Sequence, residues 1–321
     1  MRSALVMCVL AGCALNAELP DDTRATGTEI LDGACGPPPR NDGGAFRRTR
    51  NRMVASFGGP RHRGVDVIAV ETDEKQTVAG KLAYTAADKD VSGEDVELYA
   101  CIDRDWANLG KATTGSDGRF AIELAGEHRL PVGMRELAAF VPGDATTFRF
   151  LAFVARAGES VVVTDVDGTI TESENAIVNT VLFGDDIGHR RGAPEALARL
   201  GKPIVYVTAR GDQLTDVTRR WLRAHGFPPG PLRLARETIV KPGAPALAFK
   251  TEALRTLGVP IAAAIGNKLT DIVAYRRAGI PANRIFVKLP EFEAEVAPEL
   301  AARHAIGFRD YQRLNLSAVF Q

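Results

Sequence analysis

Net charge is what the 321-residue chain conspicuously lacks: 40 Lys and Arg are matched by 40 Asp and Glu. A balance of that kind leaves no overall basic footprint, so nucleic acid is not expected as a partner. Cysteine and histidine are scarce as well, at four and five residues. Neither a Cys-x-x-Cys pair nor a His-rich tract occurs, which excludes the common zinc patterns. No internal repeat is found. The mostly apolar start, Ser3–Ala11, is too short to cross a bilayer. What the chain does have, 45% hydrophobic and 25% charged residues, suffices for two ordinary cores.

The chain opens on Met1-Arg2, a minimal positive start, and the apolar run closes with Leu10-Ala11-Gly12-Cys13. That ending resembles the lipobox of bacterial lipoproteins. The resemblance implies a signal peptide over residues 1–12, a lipid on Cys13, and a protein anchored to a membrane of the bacterial cell envelope. A short hydrophobic start with a chance cysteine is the alternative. From 13 to 63 there is no hydrophobic periodicity, and Gly, Pro, Asp, Asn and Arg dominate, the composition of a flexible linker. Its end is basic: between 37 and 63, seven Arg (40, 47, 48, 50, 52, 61, 63) face one Asp, Asp42. Such a stretch either lies along an anionic bilayer or is a solvated spacer. Cys35 and Cys101 are left over, and their spacing does not say whether they pair.

Residues 64–157 form a separate unit. Val65–Val70, Thr77–Tyr84, Val96–Ile102, Arg119–Leu124, Glu136–Val141 and Phe148–Val154 are short β-prone runs, divided by turn signals such as Ser116-Asp117-Gly118. Strands at this spacing without helices between them predict an antiparallel sandwich. GKATTGSDGRFAIEL resembles the T-x-x-D-G-x-F hairpin of small sandwich modules beside secreted bacterial enzymes. With no cluster of carboxylates or histidines, the unit is expected to serve as scaffold or partner contact.

Chemistry is concentrated in 158–321. Val161-Val162-Val163 reads as a strand buried on both faces of a parallel sheet, and Asp165-Val166-Asp167-Gly168-Thr169 follows it. Ligands of such sheets sit at the carboxyl ends of strands. Two acids so close repel unless a cation lies between them, which points to Mg²⁺ and phosphoryl chemistry; an Asp/Gly-rich turn is the plain alternative. Further on come Ile204–Arg210, a strand ending in Thr208-Ala209-Arg210; Phe249-Lys250, opening an amphipathic stretch; and Ala262–Asp271, a strand, a Gly turn and a carboxylate at a helix start.

Acid pair, hydroxyl, lysine and metal carboxylate in that order resemble the four motifs of the haloacid dehalogenase superfamily. DVDGTIT followed by GNKLTDIVAYRRAGIPANRIF more closely resembles the catalytic domain of lipin-type phosphatidate phosphatases. Lys268 and Thr208 stand where that family has Arg and Ser. The resemblance implies an α/β Rossmann-like core of parallel strands behind the β-sandwich. It also implies Mg²⁺-dependent hydrolysis of a phosphate monoester, phosphatidate above all. Asp165 would attack phosphorus, Asp167 would move the proton, Thr208 would hold a phosphoryl oxygen and Lys250 would neutralise charge. Mg²⁺ would rest on Asp165, Asp167, Asn267 and Asp271, with Gly168, Thr169, Ala209 and Arg210 near the phosphate. Lys241 and Lys268 compete with Lys250. The intervals 171–203 and 250–267 leave no room for a large cap, which suits a substrate too big to enclose, such as a phosphate group on a phospholipid membrane, a nucleic acid or a protein, and Ile177–Phe183 would touch lipid chains or pack internally. His189 and His225 read as surface residues. Two alternatives stay open: a phosphatase of another large or soluble phosphomonoester, and a non-catalytic phospholipid-binding module.

Overall fold

The computed structural model describes residues 30–32, 35–40, 43–173, 187–237 and 240–314. Residues 1–12, Cys13 and Ile177–Phe183, on which the lipid anchor and the lipid-chain contact were expected, lie outside them.

A short helix, α1 (Thr49–Ala55), precedes the β-rich unit. The strands there are β1 (Arg63–Val65), β2 (Val67–Val70), β3 (Lys75–Lys81), the pair β4 (Ala83–Tyr84) and β5 (Lys89–Asp90), β6 (Asp95–Ile102), β7 (Asp105–Thr113), β8 (Arg119–Ala125), β9 (Gly133–Val141) and β10 (Thr146–Ala155). They build a three-stranded sheet, β1-β3-β8, and a five-stranded one, β2-β10-β9-β6-β7. Val78, Leu98, Phe120, Leu137 and Phe150 fill the space between the sheets, where alternate side chains of each strand point inward.

Four expectations need correction here. The run 65–70 is not one strand: it breaks at Asp66 and its halves enter different sheets, β2 pairing parallel with β10. β7 was not foreseen, because it is an edge strand with few buried positions and Gly110 in its middle. GKATTGSDGRFAIEL is no hairpin, since β7 and β8 belong to different sheets. Gly118, at φ +72°, turns the chain between them where a Cβ would meet the Leu82 carbonyl oxygen at 2.5 Å. Finally, the stretch taken for a flexible linker is packed in its described part: Phe46 and Asn51 are buried, and Cys35 is bonded to Cys101 on β6.

The second unit contains β11 (Val161–Thr164), α2 (Ala193–Ala198), β12 (Ile204–Gly211), α3 (Thr215–Ala224), β13 (Leu232–Ala235), α4 (Ala244–Arg255), β14 (Ile261–Gly266), α5 (Leu269–Arg277), β15 (Ile285–Lys288), α6 (Glu293–Ala301) and β16 (Ile306–Phe308). Its sheet is parallel throughout, in the order β13-β12-β11-β14-β15-β16. β11 lies in the middle because Val161, Val162 and Val163 are fully buried, and alternate members of the run feed cores on opposite faces. The strand order reverses beside β11, with β12 on one flank and β14 on the other. That is the topological switch point where ligands of open α/β sheets bind.

The two units share a core. Phe153 and Ala155 of β10, with Ile68 and Val70 of β2, pack into the cluster that holds Val161, Val163 and Leu254. Asp66, buried between β1 and β2, clamps the junction. Its carboxylate accepts the Leu151 and Leu232 N–H groups at 2.8 and 2.7 Å and both-handed contacts of 2.8 Å from Arg219 on α3.

Candidate functional site

Three neighbouring strand ends and one helix deliver the site. Asp165 follows β11 directly and is held in line by its N–H donating to the Ile265 carbonyl at 2.9 Å. Gly168, at φ +70°, lets the chain turn back, and its N–H donates to Thr171 Oγ1 at 2.8 Å. Thr169 points inward and its hydroxyl donates to Asp165 Oδ2 at 3.1 Å.

Lys250 reaches the site from α4. Ala246, Ala253 and Leu254 are buried on the same helix, at spacings of three and four from Lys250, so its side chain leaves the core-facing side. Its Nζ donates to Asp165 Oδ1 at 2.7 Å and to Asp271 Oδ1 at 2.5 Å. Burial pulls the ammonium's pKa down, but the two carboxylates outweigh it and hold Lys250 above the ordinary lysine range. Asp271, fully buried, also caps its own helix: Oδ2 accepts the N–H groups of Asn267 and Lys268 at 3.0 and 3.1 Å. Of the three lysines, Lys250 is the one that meets Asp165: Lys268 stands at the N-cap position of α5 with its ammonium over the Phe292 ring, and Lys241 lies in the loop before α4.

Asp167 has a different environment. Arg210, on β12, grips it through Nε at 2.9 Å and Nη2 at 2.6 Å, one bond to each oxygen, and Thr208 Oγ1 donates to Oδ2 at 3.1 Å. Arg210 is itself buried and anchored by Nη1 to Thr218 Oγ1 at 2.9 Å. Ala209, half-buried, only spaces these two. The carboxylate expected to shuttle a proton is thus the acceptor of a buried guanidinium fork.

The sequence-expected residues therefore form two linked clusters, Asp165–Lys250–Asp271 and Thr208–Asp167–Arg210, with Gly168, Thr169 and Asn267 in the walls. Others were missed. Arg190 donates to the Gly168 carbonyl from Nη2 at 3.1 Å, and Tyr311 donates to the Thr169 carbonyl at 3.1 Å. Asp212, two residues after Arg210, binds Arg63 and Arg119 of the sandwich at 2.6 and 2.9 Å. Nothing local in the sequence marks these pairs, which are far apart along the chain. His189 and His225 are not lone surface residues either: their Nδ1 atoms lie 3.2 Å apart beside Trp221 and Phe227.

Three carboxylates here face two cations, and every donor is an oxygen, the set Mg²⁺ takes. Among the described residues no three His, Cys, Asp or Glu side chains converge as a metal cage. A cation would thus rest on Asp165 and Asp271 with the Asn267 amide and the Asp167 carbonyl, because the Asp167 carboxylate is turned to Arg210.

Residues 162–288 match the family model described as PITM 1-3, LNS2 domain, and residues 60–154 the model PITM 1-3, beta-sandwich domain. Membrane-associated phosphatidylinositol transfer protein 3 of Homo sapiens is 28% identical over 256 residues, 78% of this chain and 26% of that protein. Membrane-associated phosphatidylinositol transfer protein 2 of Mus musculus is 30% identical over 58% of this chain and 14% of that protein. Protein retinal degeneration B of Drosophila melanogaster is 26% identical over 77% of this chain and 20% of that protein. The chain spans about a quarter or less of the length of these relatives.

These similarities overturn the lipin-type reading. The matched models are described as PITM 1-3 and the two mammalian relatives are named phosphatidylinositol transfer proteins, not a Mg²⁺-dependent phosphatidate phosphatase or a bacterial lipoprotein with a signal peptide. The fold is a β-sandwich followed by a parallel α/β unit, and the non-catalytic phospholipid-binding alternative fits the matches better. At the site itself, both oxygens of Asp167, the residue expected to move the proton, accept hydrogen bonds from Arg210 or Thr208.

Proposed function

We propose that the site binds the phosphate headgroup of a phospholipid at a membrane surface, as a capture site and not as a catalyst. The observation that carries this reading is the pair of charge locks, Lys250 between Asp165 and Asp271 and Arg210 on Asp167. Together they hold two cations and the Thr208 hydroxyl beside the strand ends in a fixed array, which suits an anionic group bearing several acceptor oxygens. The names of the two phosphatidylinositol transfer proteins supply membrane association and a phospholipid cargo, and matches over both units support carrying phospholipid binding to this chain.

Within this proposal the core is a haloacid dehalogenase-like frame used for binding, a reading supported by the order of strands around β11. A phosphate monoester, as in phosphatidate, is the favoured headgroup because Thr208, Lys250 and Arg210 together offer a hydroxyl and two cations to a terminal phosphate. One carboxylate in excess would repel such a dianion, so Mg²⁺ held by Asp165, Asn267 and Asp271 belongs to the proposal; it would supply the missing positive charge. Thr208 and Lys250 would orient the phosphate, and Asp167 would keep Arg210 in place.

The test is co-sedimentation of the purified chain with phosphatidylcholine vesicles containing phosphatidate, phosphatidylinositol or phosphatidylserine, in Mg²⁺ and in EDTA, while released phosphate is measured. Selective, Mg²⁺-dependent binding to phosphatidate without phosphate release is expected. Thr208→Val and Lys250→Ala should weaken it about tenfold or more, the loss of one bond to a charged group. Phosphate release, or equal binding to all anionic vesicles in every variant, would overturn the proposal.

A further inference from the structure

Among the described residues, the two most exposed large apolar side chains sit together on α1 and the turn after it. Met53 is 56% and Phe57 74% exposed, four residues apart on α1 and the turn that continues it, so they share a side. Exposed arginines surround them at 47, 48, 50 and 52, and α1 carries no acidic residue. Arg47 pairs with Asp95, but the others bind neutral oxygens: Arg48 Nη1 meets Ser92 Oγ at 3.3 Å, Arg50 Nη1 the Asp90 carbonyl at 3.2 Å and Arg52 Nε the Phe46 carbonyl at 2.8 Å. Their charges thus remain available to an outside anion.

The patch is not remote from the headgroup site. Five residues separate Phe57 from Arg63, six steps that span at most about 22 Å of chain. Arg63 in turn binds Asp212, two residues from Arg210.

We propose that α1 and its following turn form a second membrane contact, one that takes the surface of an anionic bilayer. Met53 and Phe57 enter the interface between headgroups and chains while Arg48, Arg50 and Arg52 meet lipid anions. The pairing of exposed apolar bulk with cations selects a bilayer: a polyanion without an apolar layer, such as nucleic acid, would leave Phe57 in water. The reading rests on membrane association of the headgroup site, but its chemistry is separate, since it asks only for negative surface charge.

The experiment uses the full chain and three vesicles: phosphatidylcholine alone, with phosphatidylserine, and with phosphatidate. Each cation near an anionic surface raises partition about fivefold. The double variant Arg50→Glu, Arg52→Glu should therefore lose at least about tenfold in binding to phosphatidylserine vesicles. Met53→Ser with Phe57→Ser should weaken that binding as well, with the thermal midpoint unchanged because both residues are solvent-exposed. Neither change should alter binding of soluble glycerol 3-phosphate. Unaltered partition in either double variant would overturn the proposal, as would a loss confined to the charge variant and matched on heparin, which marks a polyanion surface. The headgroup reading is scored apart: Lys250→Ala should keep phosphatidylserine binding and lose only the increment that phosphatidate adds. If it keeps both, that reading fails while α1 stands.

Discussion

Asp167 shows how little a residue's type reveals of its task. Two aspartates in a D-x-D-G turn read as nucleophile and acid, because that pairing is what phosphoryl transfer needs. The turn, the strand before it and the positions of Thr208, Lys250 and Asp271 were all legible, since strand ends and helix faces follow from local pattern. What the pattern does not encode is the side-chain partner 43 residues away: Arg210 turns one acid into a clamp. Replacing Asp167 with Asn leaves a buried guanidinium without its counter-charge. Urea unfolding should show a loss of about 3 kcal/mol, in the range for a broken buried pair. A surface-like loss under about 1 kcal/mol would mean that the fork is not a stabilising lock.

Among the elements, the strands with period-two alternation were legible and β7 was not, for the reason its burial gives: an edge strand keeps few positions inside. The break at Asp66 was equally hidden, because Val65–Val70 is apolar enough to pass for one strand. The packing of residues 35–40 and 43–63 escaped notice for another reason. They are held not by their own periodicity but by single attachments, Phe46 in the sandwich core, Asn51 donating to the Ser92 carbonyl at 2.9 Å, and the Cys35–Cys101 bond. That bond closes a loop of 66 residues, worth about 4 kcal/mol as an upper figure in the chain-entropy account. Cys101→Ser should lower the unfolding free energy by about 2–4 kcal/mol, read by denaturant titration under non-reducing conditions. No difference from wild type would show that the bridge restrains nothing the sandwich does not already fix.

At the scale of the molecule, buried carboxylates tie the parts together and set the response to acid. Asp88 and Asp144 resist ionisation by burial, yet Arg63 and Lys81 at the first and His62 at the second hold both below the usual carboxylate range. Because the folded values lie below the unfolded one near 4, each contributes stability in full above that pH. The contribution falls away as acid carries the protein down through the depressed values. Midpoints of thermal unfolding should therefore hold near neutrality and drop below about pH 4, and Asp144→Asn should flatten part of that drop. Asp66→Ala, which strips partners from Leu151, Leu232 and Arg219 together, should cost about 3–5 kcal/mol. It should also split one calorimetric peak into two; a single unshifted peak would show the junction to be unnecessary for cooperativity.

The core shared by Phe153, Ala155 and the β11 sheet has one more consequence. A module on a loose tether can let go of a bilayer one foothold at a time without strain. Two footholds on a body that does not flex are bivalent: while one holds, the other stays within reach, and its local concentration is set by shape instead of by linker length. Residence time on a membrane would then grow as a product of two weak grips, and loosening the seam between the units would shorten it without touching either grip.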